Sequence, residues 1–238
     1  MAYQAIFKRY EIKYMLTTEQ KEQLLQIMAQ HMVLDQYGRS TIRNIYFDTD
    51  NYRLIRHSIE KPAYKEKLLI RSYHRVEPDG EVFVELKKKY DSVVYKRRLS
   101  MPQDQALLWM RKEQPGPTCQ IGQEIDYFLE YYKSIHPTVF LSYDRTAYYA
   151  CNDRDFRVTF DHNILSRRED IDLGAGIYGT SLLEDGKVLM ELKTTGGIPL
   201  WMTHALTDLH IYKTSFSKYG TAYQKLIFPN CKGDFLYA

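Results

Sequence analysis

Charged side chains recur at alternate positions in several strand-like stretches of this sequence. In Lys8-Arg9-Tyr10-Glu11-Ile12-Lys13-Tyr14, residues Arg9, Glu11 and Lys13 are spaced by two, and a strand projects all three to one side. The pattern returns in Lys65-Glu66-Lys67-Leu68-Leu69-Ile70-Arg71, Val84-Glu85-Leu86-Lys87, Arg157-Val158-Thr159-Phe160-Asp161 and Met190-Glu191-Leu192-Lys193. The polar face is repeatedly Lys or Arg with single carboxylates interleaved, which suits a channel for a polyanion. Like charges about 6 Å apart at an effective dielectric near 20 repel by roughly 2 to 3 kcal/mol, so converging cations are costly unless an anion such as phosphate fills the space. Glu11, Glu85 and Glu191 either neutralise part of that charge or hold a divalent metal completed by phosphate oxygens and water.

Alternation also splits the basic runs. Lys87 shares a face with Glu85, whereas Lys88 shares one with Val84 and Leu86, so only part of Lys87-Lys88-Lys89 and of Lys96-Arg97-Arg98 can face such a channel. The rest is solvated charge. The seven histidines form no H-E-x-x-H, no Ser or Cys sits in a nucleophile elbow, and a P-loop is absent. Gly174-Ala175-Gly176-Ile177-Tyr178-Gly179 fits G-x-G-x-x-G, but it leads into an Asp185-Gly186 turn and a strand instead of a helix, so a mobile loop is expected and not a dinucleotide site.

These residues need strands to position them. The 238 residues carry 44% hydrophobic and 26% charged side chains and 21 Tyr, which excludes a disordered chain and favours strands. A net charge of +3 is too small for binding nucleic acid through the bulk field. Between Lys61 and Arg98, however, eleven Lys and Arg stand against six Asp and Glu, so the excess is local. Cys119, Cys151 and Cys231 are odd in number and scattered, which argues against a disulfide framework or zinc knuckle and for a reducing, cytoplasmic setting. No signal peptide, membrane span or fused sensor domain is read, so any membrane partner is supplied by another chain.

Thr17-Thr18-Glu19-Gln20 offers a cap and an acidic first turn for a helix whose Leu24, Leu25, Ile27 and Met28 repeat at helical spacing. Beyond the opening strand, strands are predicted over 42–47, 64–75, 81–89, 93–100, 138–149, 155–161 and 187–194. Turns fall at Asp48-Thr49-Asp50, Pro78-Asp79-Gly80 and Tyr90-Asp91-Ser92. Helices are predicted at 53–57, after Met101, at 124–132, near 200–209 and at 217–227. Mostly antiparallel strands with few helices define an α+β class, and closing the sheet would remove its edges.

With these elements in place, Arg9-Tyr10-Glu11-Ile12-Lys13-Tyr14 resembles a variant of the paired-Glu-plus-Lys signature of the triphosphate tunnel metalloenzymes, the CYTH-like superfamily. The closer resemblance is to the VTC polyphosphate polymerase domain. It is carried in order by Ile42 to Asp48, Lys67 to Tyr73, Val84 to Lys87, Ser142 to Ala147, Arg157 to Asp161, Leu189 to Lys193 and Phe216 to Gly220. The resemblance implies one domain over residues 1–238, a closed eight-stranded antiparallel β-barrel with flanking helices. It further implies that ATP phosphates, a divalent metal (Mn²⁺ or Mg²⁺) and a growing polyphosphate chain share the tunnel, with ADP released.

By motif, the resemblance assigns phosphate binding to Lys13, Arg71, Lys87, Lys96, Arg145, Arg157, Ser217 and Lys218, and stacking on the nucleobase to Tyr143; Lys193 joins the phosphate set because it shares a strand face with Glu191. It assigns the metal to Glu191, to which the interleaved carboxylate Glu11 is added, and the chemistry is expected of Glu191, Lys218 and Arg71. Two positions depart from the family. Leu69 stands where a second basic residue precedes Arg71, so one phosphate contact is lost or Lys67 supplies it from the same face. Arg9 replaces the first Glu of the wider signature, which fits the polymerase branch better than the hydrolytic ones. A tunnel hydrolase of tripolyphosphate or nucleoside triphosphates, and a weakly catalytic polyphosphate-binding module, are the competing expectations.

Overall fold

Alternation and turn chemistry together build a ten-stranded sheet flanked by six helices in the computed structural model, which describes residues 10–91 and 93–230. β1 (Tyr10–Thr17) passes directly into α1 (Thr18–Met28). At the junction Thr17 Oγ1 accepts from the Gln20 backbone N–H at 3.1 Å, and the Gln20 side chain accepts from the Thr17 N–H at 3.0 Å, satisfying two of the helix's free donors. β2 (Met32–Asp48) is longer than its hydrophobic pattern suggests and changes register between Leu34 and Arg39. Asp48 ends it and tethers α2 (Arg53–Ile59), its carboxylate accepting from the Leu54 and Ile55 N–H groups at 2.9 and 3.0 Å.

The expected meander follows as β3 (Tyr64–Ser72), β4 (Glu81–Tyr90) and β5 (Val93–Pro102), then α3 (Gln103–Met110) and α4 (Gln120–Tyr132). The chain continues through β6 (His136–Ala150), β7 (Arg157–Arg167), β8 (Thr180–Ser181) and β9 (Lys187–Thr194). It closes with α5 (Leu200–Asp208), β10 (Lys213–Thr214) and α6 (Lys218–Ala222), which runs on as a wider turn over Tyr223–Ile227. The strand order is β10-β1-β9-β7-β6-β2-β3-β4-β5, with β8 beside β7, and every described pairing is antiparallel.

Three apolar clusters set the curvature. On the outer face, Ile45, Phe47, Leu68, Ile70, Val84 and Leu86 pack under Trp109 of α3 and Ile125 and Phe128 of α4. Leu16, Val158, Phe160, Met190 and Leu192 pack under α1 and α5. The third cluster lies on the inner face, where Ile42, Tyr46, Leu69, Leu141, Tyr143 and Leu189 hold Tyr219, Ala222 and Tyr223 against the sheet. Lys13 of β1 and Lys67 of β3 are five strands apart in the ladder, yet their charges repel each other, so the sheet curls around this inner face.

The expected closed eight-stranded barrel needs correction in two respects. The sheet has ten strands, and its ladder is open among the described residues because β5 and β10 remain edges. In place of a closing strand pair, the segment entering α6 bridges the two limbs. The Phe216 carbonyl accepts from Lys13 Nζ at 2.9 Å, and Ser217 Oγ accepts from Lys67 Nζ at 3.0 Å.

Candidate functional site

Cross-strand register sets the charged residues in rows on the inner face. Lys13 lies opposite Glu191, Glu11 opposite Lys193, and Asp161 opposite Arg145. On the other limb Glu85 lies opposite Arg98, and Lys67, Lys87 and Lys96 form one continuous row across β3, β4 and β5. Directly opposed residues on adjacent strands share a face, so these rows converge within the curled sheet.

Two carboxylate centres organise the cations. Glu191 is 5% exposed, and its Oε1 takes Lys218 Nζ at 3.0 Å while Oε2 takes Arg145 and Lys193, each at 3.0 Å. Lys13 approaches the same carboxylate to 3.8 Å. Beside it, fully buried Asp161 accepts two bonds from the Arg145 guanidinium at 2.6 and 2.7 Å and pairs with Lys218 at 2.6 Å. The second centre is Glu85, also fully buried, with Lys96 at 2.7 Å, Lys87 at 3.4 Å, Arg71 at 3.5 Å and Arg98 in direct hydrogen-bond contact. Glu85 Oε2 has no hydrogen-bonded partner, its nearest cations standing at ion-pair distance.

The titration properties follow from these contacts. Burial raises Glu191, but Lys218, Lys193, Arg145 and Lys13 overcome it and hold the carboxyl well below the usual range. Burial likewise opposes Arg71, Lys87, Lys96 and Arg98 at Glu85, and the four cations win. Burial and the Glu191 charge push Glu11 up, but Lys13, Lys193 and Lys218 bring it net down. The lysines of the open row lack equivalent compensation. Burial and Arg71 push Lys87 down to about 7 against the pull of Glu85, and burial brings Lys96 to about 8 despite Glu85. A polyanion entering here meets cations whose charge its own presence stabilises.

Of the residues expected from sequence, Lys13, Arg145, Lys193, Lys218, Glu11 and Glu191 gather at the first centre, and Arg71, Lys87 and Lys96 at the second. Ser217 caps α6 by accepting from the Gly220 N–H at 3.1 Å and faces Lys67. Arg157 lies opposite Lys193 but pairs with Asp35 of β2 instead of either centre. Tyr143 is 3% exposed, its ring beneath Arg145 and Lys218 at 5.1 and 4.6 Å, so in this structure it supports the cations and does not present an open face to a base. Arg9 and Cys231 lie outside the described residues.

Asp161 and Arg98 stand in the alternating charged stretches but carry no expected role, and Asn44 was not a candidate at all. Alternation places Asp161 with Arg157 and Thr159, and Arg98 with Lys96, which was the available signal. Asn44 carried none, since only pairing shows that its Oδ1 accepts from Arg71 Nε at 2.8 Å. The glycine-rich loop leads, as expected, into no helix; it runs into the short β8, which the pattern did not predict, and then β9, and Arg167 Nη1 holds it by the Gly176 and Tyr178 carbonyls, each at 3.2 Å.

The curled antiparallel sheet with a basic inner face defines a triphosphate-tunnel-like fold. An adenylate-cyclase-like protein of Bacillus halodurans shares it with a TM-score of 0.59 at 14% identity, over 94% of this chain and 100% of that one. An adenylyl-cyclase-like protein of Hippeastrum, described as having dominant triphosphatase activity, matches with a TM-score of 0.52 at 14% identity over 92% and 95% of the two chains. None of the curated proteins matches in sequence. The VTC domain family model matches residues 8–227, and this chain belongs to the VTC domain family.

Proposed function

We propose that this chain is an ATP-dependent polyphosphate polymerase that transfers the ATP γ-phosphate to a polyphosphate chain and releases ADP. The observation that carries this reading is the convergence of cations from both limbs of a VTC-family sheet on one inner face, where they outnumber the carboxylates that hold them. No protein nucleophile is needed, because a terminal phosphate oxygen of the acceptor attacks the γ-phosphorus and the β–γ bridging oxygen leaves with ADP. Arg71, Lys87 and Lys96 at one centre, and Lys13, Arg145, Lys193 and Lys218 at the other, bind and align the phosphates and neutralise the charge on the transferring group. Ser217 holds the entry to α6, and Arg157 contributes at the rim.

Glu191 and Glu11 lie diagonally across neighbouring strands, near enough for the Glu191 charge to push Glu11 up. This pair suits Mg²⁺ or Mn²⁺ delivered with phosphate, which takes one or two carboxylates and completes its shell with phosphate oxygens and water. Among the described residues no group of three or more His, Cys, Asp or Glu is placed to hold a metal ion, so phosphate oxygens and water would have to complete its shell. When bound, the ion supplies Lewis-acid stabilisation of phosphoryl oxygens. Glu191→Gln with Mn²⁺ should lower ATP turnover by roughly 100-fold or more while ATP affinity falls less; near wild-type turnover would remove the metal role. Hydrolysis of a triphosphate with water as acceptor is the second reading, favoured by the triphosphatase description of the Hippeastrum neighbour. Product analysis separates the two.

A further inference from the structure

Leu69 occupies the inner-face position directly opposite Glu85 and is fully buried among apolar side chains, so no cation reaches the second centre from there. The next inner-face residue of β3 is Lys67, opposite Lys87, which is in turn opposite Lys96. Neighbouring strands lie about 4.8 Å apart, so the three lysines stand side by side in one row across the inner face. Lys87 and Lys96 each have Glu85 within 4 Å, but Lys67 has no carboxylate that near among the described residues; its ammonium donates to Ser217 Oγ at 3.0 Å. Ser217 adjoins Lys218 of the Glu191 centre, and Lys87 belongs to the Glu85 centre. Lys67 therefore stands between the two.

We propose that Lys67 is a phosphate-binding residue placed where a polyphosphate chain crosses from the Glu85 centre to the Glu191 centre, and that it selects for anions long enough to span both. The inference rests on the polyanion reading of the inner face, and it adds a specificity residue at a position where Leu69 has removed a cation. The groups facing Lys67 are Lys65 on its own strand, Lys87 on β4, Lys13 and Glu11 on β1, and Ser217 before α6. Burial and Lys13 push Lys67 down to about 7, with Glu11 opposing. Near neutral pH the side chain is thus only partly charged, and a bound phosphate draws a proton onto it. A pyrophosphate held at one centre has no need of this contact.

The test is titration calorimetry of wild type, Lys67→Met and Lys67→Arg with tripolyphosphate and with pyrophosphate, near neutral pH, in two buffers of different ionisation enthalpy. Loss of a charge-assisted contact predicts that Lys67→Met weakens tripolyphosphate binding roughly 10- to 100-fold. Pyrophosphate affinity should change by less than about threefold, Lys67→Arg should restore tripolyphosphate binding, and the proton uptake seen with wild type should shrink in Lys67→Met. Unchanged tripolyphosphate binding in Lys67→Met, or equal losses for both anions, overturns the role of Lys67 alone. If wild type binds neither anion, the polyanion reading itself falls and this inference with it. Thermal unfolding of each variant identifies a loss that comes from misfolding, and in that case recovery in Lys67→Arg decides the matter.

Discussion

Replacing Asp161 by Asn should destabilise the free protein far more than an ordinary polar substitution. Asp161 is fully buried, accepts two bonds from Arg145 at 2.6 and 2.7 Å and pairs with Lys218 at 2.6 Å. Removing its charge leaves buried Lys218 and half-buried Arg145 to share the Glu191 carboxylate, which already holds Lys193 at 3.0 Å. Breaking a buried pair from one side costs about 3 to 5 kcal/mol, because the surviving charge stays desolvated and unpaired. Denaturant unfolding with wild type and variant fitted to a common slope reads this directly. An added polyanion should repair part of the loss, since a ligand at about 100 times its Kd contributes about 2.7 kcal/mol and the uncompensated cations raise its affinity. A loss below about 1 kcal/mol, or no greater protection of the variant than of wild type by tripolyphosphate, would show that Asp161 does not hold the cations in place.

The pH dependence of this centre follows from the same contacts. Asp161 and Glu191 are held below their usual range, so their stabilising contribution is present above the unfolded carboxylate values and is lost as pH falls through the lower folded ones; acid unfolding midpoints should show it. Lys87 and Lys96 behave oppositely, titrating at about 7 and about 8 when folded but near 10.4 when unfolded. The unfolded state then binds more protons, so the free protein gains stability from these groups as pH rises through that window, while its polyphosphate affinity falls; binding isotherms from pH 6 to 9 should show that loss. Tyr219→Phe removes the bond from the Tyr219 hydroxyl to Asp48 at 2.9 Å and should cost about 1 kcal/mol or more in denaturant unfolding, because a buried acceptor loses a partner.

Much of the site was legible because β-strand alternation is strict. The reading that Lys87 faces inward with Glu85 while Lys88 faces out holds, since Lys88 pairs outward with Glu66 and Glu124 at 3.8 and 3.9 Å. The helix after Thr17 and the strand over 187–194 were equally visible, the helix through its capping box and the strand through an apolar Val188-Leu189-Met190 run followed by alternation over Glu191, Leu192 and Lys193. The first ten residues of β2 were missed because Asp35, Gly38 and Arg39 interrupt its apolar pattern at the register shift. The openness of the sheet was not readable either, because closure depends on whether its two edges meet, and no local pattern encodes that. The burial of Tyr143 beneath Arg145 and Lys218 is also a tertiary fact, arising where α6 from the end of the chain settles on β6.

The most direct test of the central claim is to incubate the chain with ATP and Mn²⁺, resolve the phosphate products by size, and measure ADP and orthophosphate in the same samples. A polymerase yields a ladder of lengthening polyphosphate with one ADP for each phosphoryl group added and little orthophosphate. Orthophosphate released in step with ADP and no ladder would contradict chain growth and assign hydrolysis to the site, and tight ATP binding without turnover would leave the inner face a polyanion-binding surface.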